Sequence, residues 1–341
     1  LQKKTVTLAD VAREAGIDVS TASRALAGAY GVRAHIREKV QAIAKQLQYH
    51  PNLVARGLAT GRSETFGILV SDIRNPFFAE VVRGAEDAAN ASGYGILLCN
   101  SDLDPQKQMR YFRSLLNKRV DGILMNSVAA LSRDQQKDLA GSAVPIVLLH
   151  RPSGYRCFST VVCDNFHGGC LAGEHLVKLG HRKMAHLTSR ARHGNLTERA
   201  RGFLKAIKPA EPVLIRGSHS VQGGYDMAKD LLGRKTGITA IFAANDAIAF
   251  GAMRAILEAG LRIPDNISLM GFDDVEFASI VHPPLTTISQ PKYEMGHAAI
   301  EILSKLVQHR DAPPEHRMFE VSMVERLSCS PGRDRSLKCL A

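Results

Sequence analysis

A chain of 341 residues is long for a single core, so two or three structural units are expected. Composition is that of an ordinary globular protein. No apolar run approaches the roughly 18–20 residues that span a bilayer, which excludes a membrane-spanning helical protein. Net charge is +11 and unevenly placed: residues 1–63 carry ten Lys/Arg against four acids, the other 278 residues 34 against 29. A basic first segment suits a polyanionic partner, although a basic surface alone is also compatible with a plain solvated face. No secretory apolar segment follows Leu1-Gln2-Lys3-Lys4-Thr5, so a cytoplasmic location is expected. The six cysteines (Cys99, Cys157, Cys163, Cys170, Cys329, Cys339) form no Cys-x-x-Cys pair, so free thiols and no metal site are expected.

In chain order, Leu8, Val11, Ala12 and Ala15 recur at helical spacing behind Thr7, a natural N-cap. Gly16 can take the left-handed conformation that ends this helix. Asp18 can cap a second helix whose Val19, Ser20, Thr21, Ser23 and Arg24 make a small, hydrogen-bonding face. Two such helices around a glycine are a helix-turn-helix, or equally an ordinary helical hairpin. A third helix over 34–48 presents Ile36, Val40, Ile43 and Leu47. Pro51 then breaks the pattern, and Asn52 can cap a short helix to Ala59 before the linker Thr60-Gly61-Arg62-Ser63. At about two turns that helix is marginal alone, and Gly57 weakens it by about 1 kcal/mol relative to Ala.

From Thr65 short apolar runs alternate with amphipathic helices. Helices are expected over 77–92, 105–118, 132–140, 166–179, 196–207, 221–233, 246–259 and 293–308. Strands are expected at 66–71, 95–99, 122–126, 145–149, 159–163, 183–188, 213–216, 238–243 and 267–272. That alternation indicates parallel sheets covered on both faces. There is too much of it for one sheet, so an α/β domain of two doubly wound lobes, dividing near residue 155, is expected. Ligands then sit outside the carboxyl ends of the strands.

Ordered motifs run through the chain: Thr-Leu-x-Asp-Val-Ala-x-x-Ala-Gly, Ser-Arg-x-Leu, Tyr49-x-Pro51-Asn52-x-x-Ala55-x-x-Leu58, Asp72-Ile73-x-Asn75-Pro76-Phe77-Phe78, Lys118-Arg119-Val120-Asp121-Gly122, Asp164-Asn165-x-x-Gly168-Gly169, Gly180-His181-Arg182, Asn245-Asp246, Gly271-Phe272-Asp273-Asp274 and Pro284-Leu285-Thr286-Thr287-Ile288. Together they resemble the lac-repressor/purine-repressor family of bacterial transcription regulators over about residues 5–328. The resemblance implies an all-α helix-turn-helix headpiece (1–50), a hinge helix and linker (51–64), and a two-lobed effector-binding and dimerisation domain (65–328) of periplasmic-binding-protein type. A tail follows (329–341). It implies a homodimer on pseudo-palindromic operator DNA, with operator affinity set by a small carbohydrate-like effector between the lobes, no other cofactor and no enzymatic activity.

By match to the family's motif, Val19, Ser20 and Arg24 read bases, and Arg24 can grip guanine O6 and N7. Thr7, Thr21 and Ser23 suit phosphates, and Arg33 adds a cation nearby. Asn52, Ala55 and Leu58 belong to the hinge, Leu58 as a minor-groove wedge. Asp18 and Ala27 depart from the family's usual Ser/Thr and Asn, which predicts a weaker operator grip that Asp18→Ser should tighten. The effector set implied by the resemblance is Asp72, Phe77, His150, His193, Asn195, Arg199, His219, Asn245 and Asp273; for Asp72 and Asn75, turn and cap chemistry is the competing reading. His150 stands where sugar-responsive members often have Asp. The surrounding His150, Arg151, Arg190, Arg192, His193, Arg199 and His219 predict an anionic effector, a sugar acid or phosphorylated sugar. A solute-binding protein, or an enzyme on the same fold, is the alternative. Neither needs the basic first segment, and no Gly-x-Gly-x-x-Gly, Walker or Gly-x-Ser-x-Gly motif appears.

Overall fold

The structure, a computed structural model, describes residues 6–49, 61–126, 132–149, 157–190 and 194–332. The chain divides into two units between Ser63 and Glu64. The first holds α1 (Leu8–Ala15), α2 (Val19–Leu26) and α3 (Ala34–Gln46). Its entry is set locally. The Thr7 hydroxyl accepts from the Asp10 amide while the Asp10 carboxylate accepts from the Thr7 amide, a reciprocal capping box. Gly16 closes α1 at φ 69°, ψ 35°, and Asp18 caps α2 by accepting from the Thr21 amide. Val11, Ala12, Ala15, Ala22, Ala25, Val40 and Ala44 are buried together, and the alanines let three short helices pack closely. The segment 51–60, with the expected hinge helix, lies outside the described residues.

The second unit begins with β1 (Thr65–Val70), α4 (Pro76–Ala91), β2 (Gly95–Asn100), α5 (Pro105–Asn117), β3 (Gly122–Asn126), α6 (Arg133–Ala140), β4 (Ile146–Leu149) and β5 (Ser159–Cys163). Asn75 and Asp104 cap α4 and α5, each with proline in the first helical position, where the missing amide costs nothing. The chain continues through α7 (Asn165–Lys178), β6 (Met184–Ser189), α8 (Asn195–Ala206), β7 (Val213–Gly217), α9 (Val221–Gly233), β8 (Ala240–Ala243), α10 (Asp246–Glu258) and β9 (Ser268–Met270). It closes with α11 (Phe277–Ile280), β10 (Thr287–Ser289), α12 (Lys292–Gln308), β11 (His316–Phe319) and β12 (Ser322–Val324).

Two parallel sheets result, one in the order β11-β5-β4-β3-β1-β2, the other β7-β6-β8-β9. The boundary expected near residue 155 is displaced. β5 pairs in register with β4 and belongs to the first sheet (Leu148 opposite Thr160), and the chain returns to that sheet through α12 and β11. A buried strand carries no mark of its sheet, because its apolar pattern satisfies either one; only tertiary pairing decides. The antiparallel pair β10–β12 was also absent from the periodicity, at three residues a strand. One apolar cluster runs from Phe66, Phe77 and Val81 in the first lobe through Met295 and Leu303 to Phe203, Phe242 and Phe272 in the second.

Candidate functional site

On α2, Val19, Ser20, Ser23 and Arg24 are exposed while Ala22 and Ala25 turn inward, so the helix shows one outward face rich in small polar residues. That face carries a hydrogen-bond network of its own. The Ser20 hydroxyl donates to Asp18 Oδ1 at 2.5 Å, and the Thr21 hydroxyl to Asp18 Oδ2 at 2.6 Å. Arg24 lies back along the helix, its Nη2 donating to Thr21 Oγ1 at 3.3 Å and its Nε to the Ser20 carbonyl at 3.4 Å. The bonds from Ser20 and then Thr21 hold the Asp18 carboxyl far below the usual carboxylate range, so it is ionised at any ordinary pH. Thr7 donates its hydroxyl to Asp10, so that proton serves the cap. Arg33 sits exposed at the N-cap of α3 with no side-chain cap bond. Tyr30, fully exposed in the loop between α2 and α3, is a side chain the sequence did not single out. Asn52, Ala55 and Leu58 lie outside the described residues.

In the second unit four of the expected effector residues, Asp72, His219, Asn245 and Asp273, lie at the carboxyl ends of strands. Ser71 and Asp72 follow β1 and Asn126 ends β3; across from them Ser189 ends β6, and His219, Asn245 and Asp273 follow β7, β8 and β9. The centre is Arg199, on α8 and only 2% exposed. It donates to Asn165 Oδ1 (2.8 Å), the Ala244 carbonyl (2.6 Å) and Asp273 Oδ1 (3.2 Å), and its guanidinium lies 3.6 Å over the Phe272 ring. Its position is set by the crossing of α7 and α8. A Cβ on Gly169 would stand 2.1 Å from the Arg199 carbonyl oxygen, and one on Gly202 1.9 Å from that of Phe166. Only glycines permit this approach.

Asp273 adopts φ 118°, a strained conformation for a side-chain-bearing residue, and neighbouring bonds fix it. Lys292 Nζ donates to the carbonyls of Asp273 and Asp274, and Arg326 holds the Asp274 carboxylate. Gln290 Nε2 donates to Asp273 Oδ1 at 2.6 Å, while its Oε1 is buried with no protein partner among the described residues. Burial raises the Asp273 pKa to about 6, against the opposing pull of Arg199, Lys292 and Gln290. Burial likewise lowers that of Arg199: both charges lose hydration, and their mutual bond restores only part of it. Gln290 was missed in the sequence. It lies past the last recognisable motif, and only the fold brings it to Asp273.

The remaining positions divide. Asn245 caps α10 through Ile248 N and donates to the His219 carbonyl at 3.5 Å. His219 pairs with Ser189 Oγ at 3.2 Å; burial lowers its pKa, and the Asp72 carboxylate opposes that shift. Phe77 is buried, edge-on to Phe78 with ring centroids 5.2 Å apart. Asp72 gives both carboxylate oxygens to the Arg74 guanidinium fork, so its acceptors serve its own turn. Asn75 likewise serves as a cap. Asn126 donates to the Ser71 hydroxyl at 2.9 Å, a buried polar pair not anticipated from the sequence. Asn195 lines a hollow with Thr160, Asp164, Phe166 and Met318 beside the β11 edge. His150 and His193 lie outside the described residues, as do Arg151 and Arg192.

A helical unit with an exposed polar first turn on α2, joined to a two-lobed unit with a polar cluster at its strand ends, matches two family models. Residues 7–52 match the bacterial regulatory proteins of the lacI family. Residues 63–323 match the periplasmic binding proteins and sugar binding domain of the LacI family. The chain belongs to the LacI family. It is 33% identical to the HTH-type transcriptional repressor PurR of Mannheimia succiniciproducens (94% of this chain, 98% of the relative). It is 35% identical to the ribose operon repressor of Escherichia coli K12 over the same shares. Among solved structures it superposes on a lac repressor dimer bound to operator and the anti-inducer ONPF (TM-score 0.86, 30% identity, 96% of this chain, 100% of that one). It also superposes on a LacI-family regulator of Enterococcus faecium with bound ribose (TM-score 0.72, 32% identity, 79% and 100%). This LacI-family chain is a DNA-binding transcriptional regulator. No helix among the described residues is long and apolar enough to cross a membrane.

Proposed function

We propose that this LacI-family protein is a cytoplasmic homodimeric repressor of a pseudo-palindromic operator, and that a neutral sugar of pentose size, held between the two sets of strand ends, sets its operator affinity. The supporting observation is the pairing of Arg199. An anionic effector needs an uncommitted cation, and Arg199 already meets Asp273 at 3.2 Å. Arg190 is exposed, and His219 is kept neutral at pH 7 by burial. Of the described members of the cationic set only the exposed Arg190 is left uncommitted, so no buried charge is free for a carboxylate or phosphate, which favours the neutral form of the effector. Asp273 and Gln290 instead offer acceptors to neighbouring hydroxyls, and Phe77 an apolar wall. Ribose is the first probe, because the Escherichia coli repressor is named for the ribose operon and the Enterococcus faecium relative holds ribose.

The dimer reading rests on exposed apolar surface. β2 is an edge strand with Leu97 and Leu98 38% and 39% exposed. An edge of this kind invites pairing unless covered, and a second copy covers it. Calorimetry of the full chain against ribose, ribonate and ribose 5-phosphate tests the effector class. Ribose is expected to bind at least about tenfold more tightly than either acid, and Asp273→Asn to weaken it by a similar factor. Tighter binding of an acid overturns the neutral reading.

A further inference from the structure

The network at the start of α2 fixes more than a cap. A hydroxyl has one proton to give and lone pairs that accept. An ionised carboxylate only accepts, so the short Ser20 Oγ–Asp18 Oδ1 contact settles its own direction: the Ser20 proton is spent on Asp18. The Thr21 hydroxyl is committed on both sides, donating to Asp18 and accepting from Arg24. Exposed Ser20 therefore presents the DNA groove with lone pairs alone. In the major groove adenine and cytosine offer amino donors, whereas guanine and thymine offer keto acceptors. A proton-depleted hydroxyl is matched to the first pair and repelled by the second.

We propose that Asp18 is a specificity-determining residue: by taking the Ser20 proton it makes the base opposite Ser20 an amino base, adenine or cytosine, rather than a keto base. The inference rests on the reading that the first turn of α2 contacts bases. It deepens that reading by assigning a role to a residue that itself reaches no base. The longer bonds of Arg24, at 3.3 and 3.4 Å, leave it able to swing out to guanine, and in doing so it gives up its link through Thr21 to Asp18.

The test is selection of binding sites from randomised half-sites by the full-length chain, followed by sequencing. The wild-type chain should show, at one position of each half-site, at least about a fivefold preference for A or C over G or T, the worth of one ordinary hydrogen bond. Asp18→Ser keeps a capping oxygen but removes the carboxylate. It should lower that preference below about twofold, while the guanine set by Arg24 is retained as proof of an intact, correctly docked headpiece. If Asp18→Ser keeps the amino preference and Ser20→Ala abolishes it, Ser20 reads the base unaided and the inference is overturned while the base-reading turn stands. If Ser20→Ala leaves the selected sequence unchanged, the base-reading turn and the inference fall together.

Discussion

Asp246 is a fully buried carboxyl at the first position of α10, accepting from Thr287 Oγ1 at 2.6 Å and from the Val275 amide at 2.9 Å. Burial first, and the nearby Asp273 carboxylate second, push its pKa up to about 8. In the unfolded chain it ionises near about 4. Between those values the folded state holds a proton that the unfolded state has lost, so this group's stabilisation is full below about 4 and declines as pH rises toward 8. The thermal midpoint should therefore fall between pH 6 and 8.5. Asp246→Asn, which cannot ionise, should flatten that slope in a scanning calorimeter; a slope unchanged in the variant assigns the dependence elsewhere. Legibility at this scale followed sequence distance. Thr7, Gly16 and Asp18 were readable because a cap involves neighbours a few residues away. Gln290 and the Ser71–Asn126 pair were not, because their partners lie 17 and 55 residues off. Asp72 and Asn75 followed their turn and cap chemistry.

At the scale of elements, the helices pack in pairs through reciprocal glycines. The crossings are α4 with α12 (Gly84, Gly296), α7 with α8 (Gly169, Gly202) and α9 with α10 (Gly224, Gly251); at each, an added Cβ would fall within about 2 Å of a backbone oxygen of the other helix. The α7–α8 pair carries Asn165 and Arg199, so its spacing sets their 2.8 Å bond. Gly169→Ala is expected to destabilise the chain by about 1–3 kcal/mol through overpacking and to weaken ribose binding by pushing Arg199 from Asp273. Chemical denaturation and calorimetry read the two effects; unchanged sugar affinity in a destabilised variant would separate packing from the site. The longer helices and strands were legible because periods of 3.6 and 2 are written in the order of residues; four-residue α11 and β11 were not. Sheet membership was not: β5 carries the same apolar run in either sheet, and three-residue β10 and β12 carry too little pattern to register.

At the scale of the whole molecule, the proposed sugar site draws on both lobes, so lobe arrangement and sugar occupancy would be one equilibrium. Arg199 and Asp273 come from the second lobe, while Phe77, at the start of α4, comes from the first. A sugar that bridges such walls stabilises the arrangement in which it touches both, by as much as its affinities for the two arrangements differ. A lac repressor dimer of the same fold has been solved bound to operator and the anti-inducer ONPF.

The most direct test of that coupling is operator affinity with and without ribose. Full-length protein is titrated onto fluorescent operator recovered by selection with the wild-type chain, in the presence and absence of saturating ribose, and the titrations are repeated with Asp273→Asn. A change of at least about tenfold in operator affinity is expected for the wild-type chain, equivalent to about 1.4 kcal/mol of coupling, and no change at the same ribose concentration for Asp273→Asn. An operator affinity that stays constant while calorimetry shows the wild-type cleft filled with ribose would contradict it.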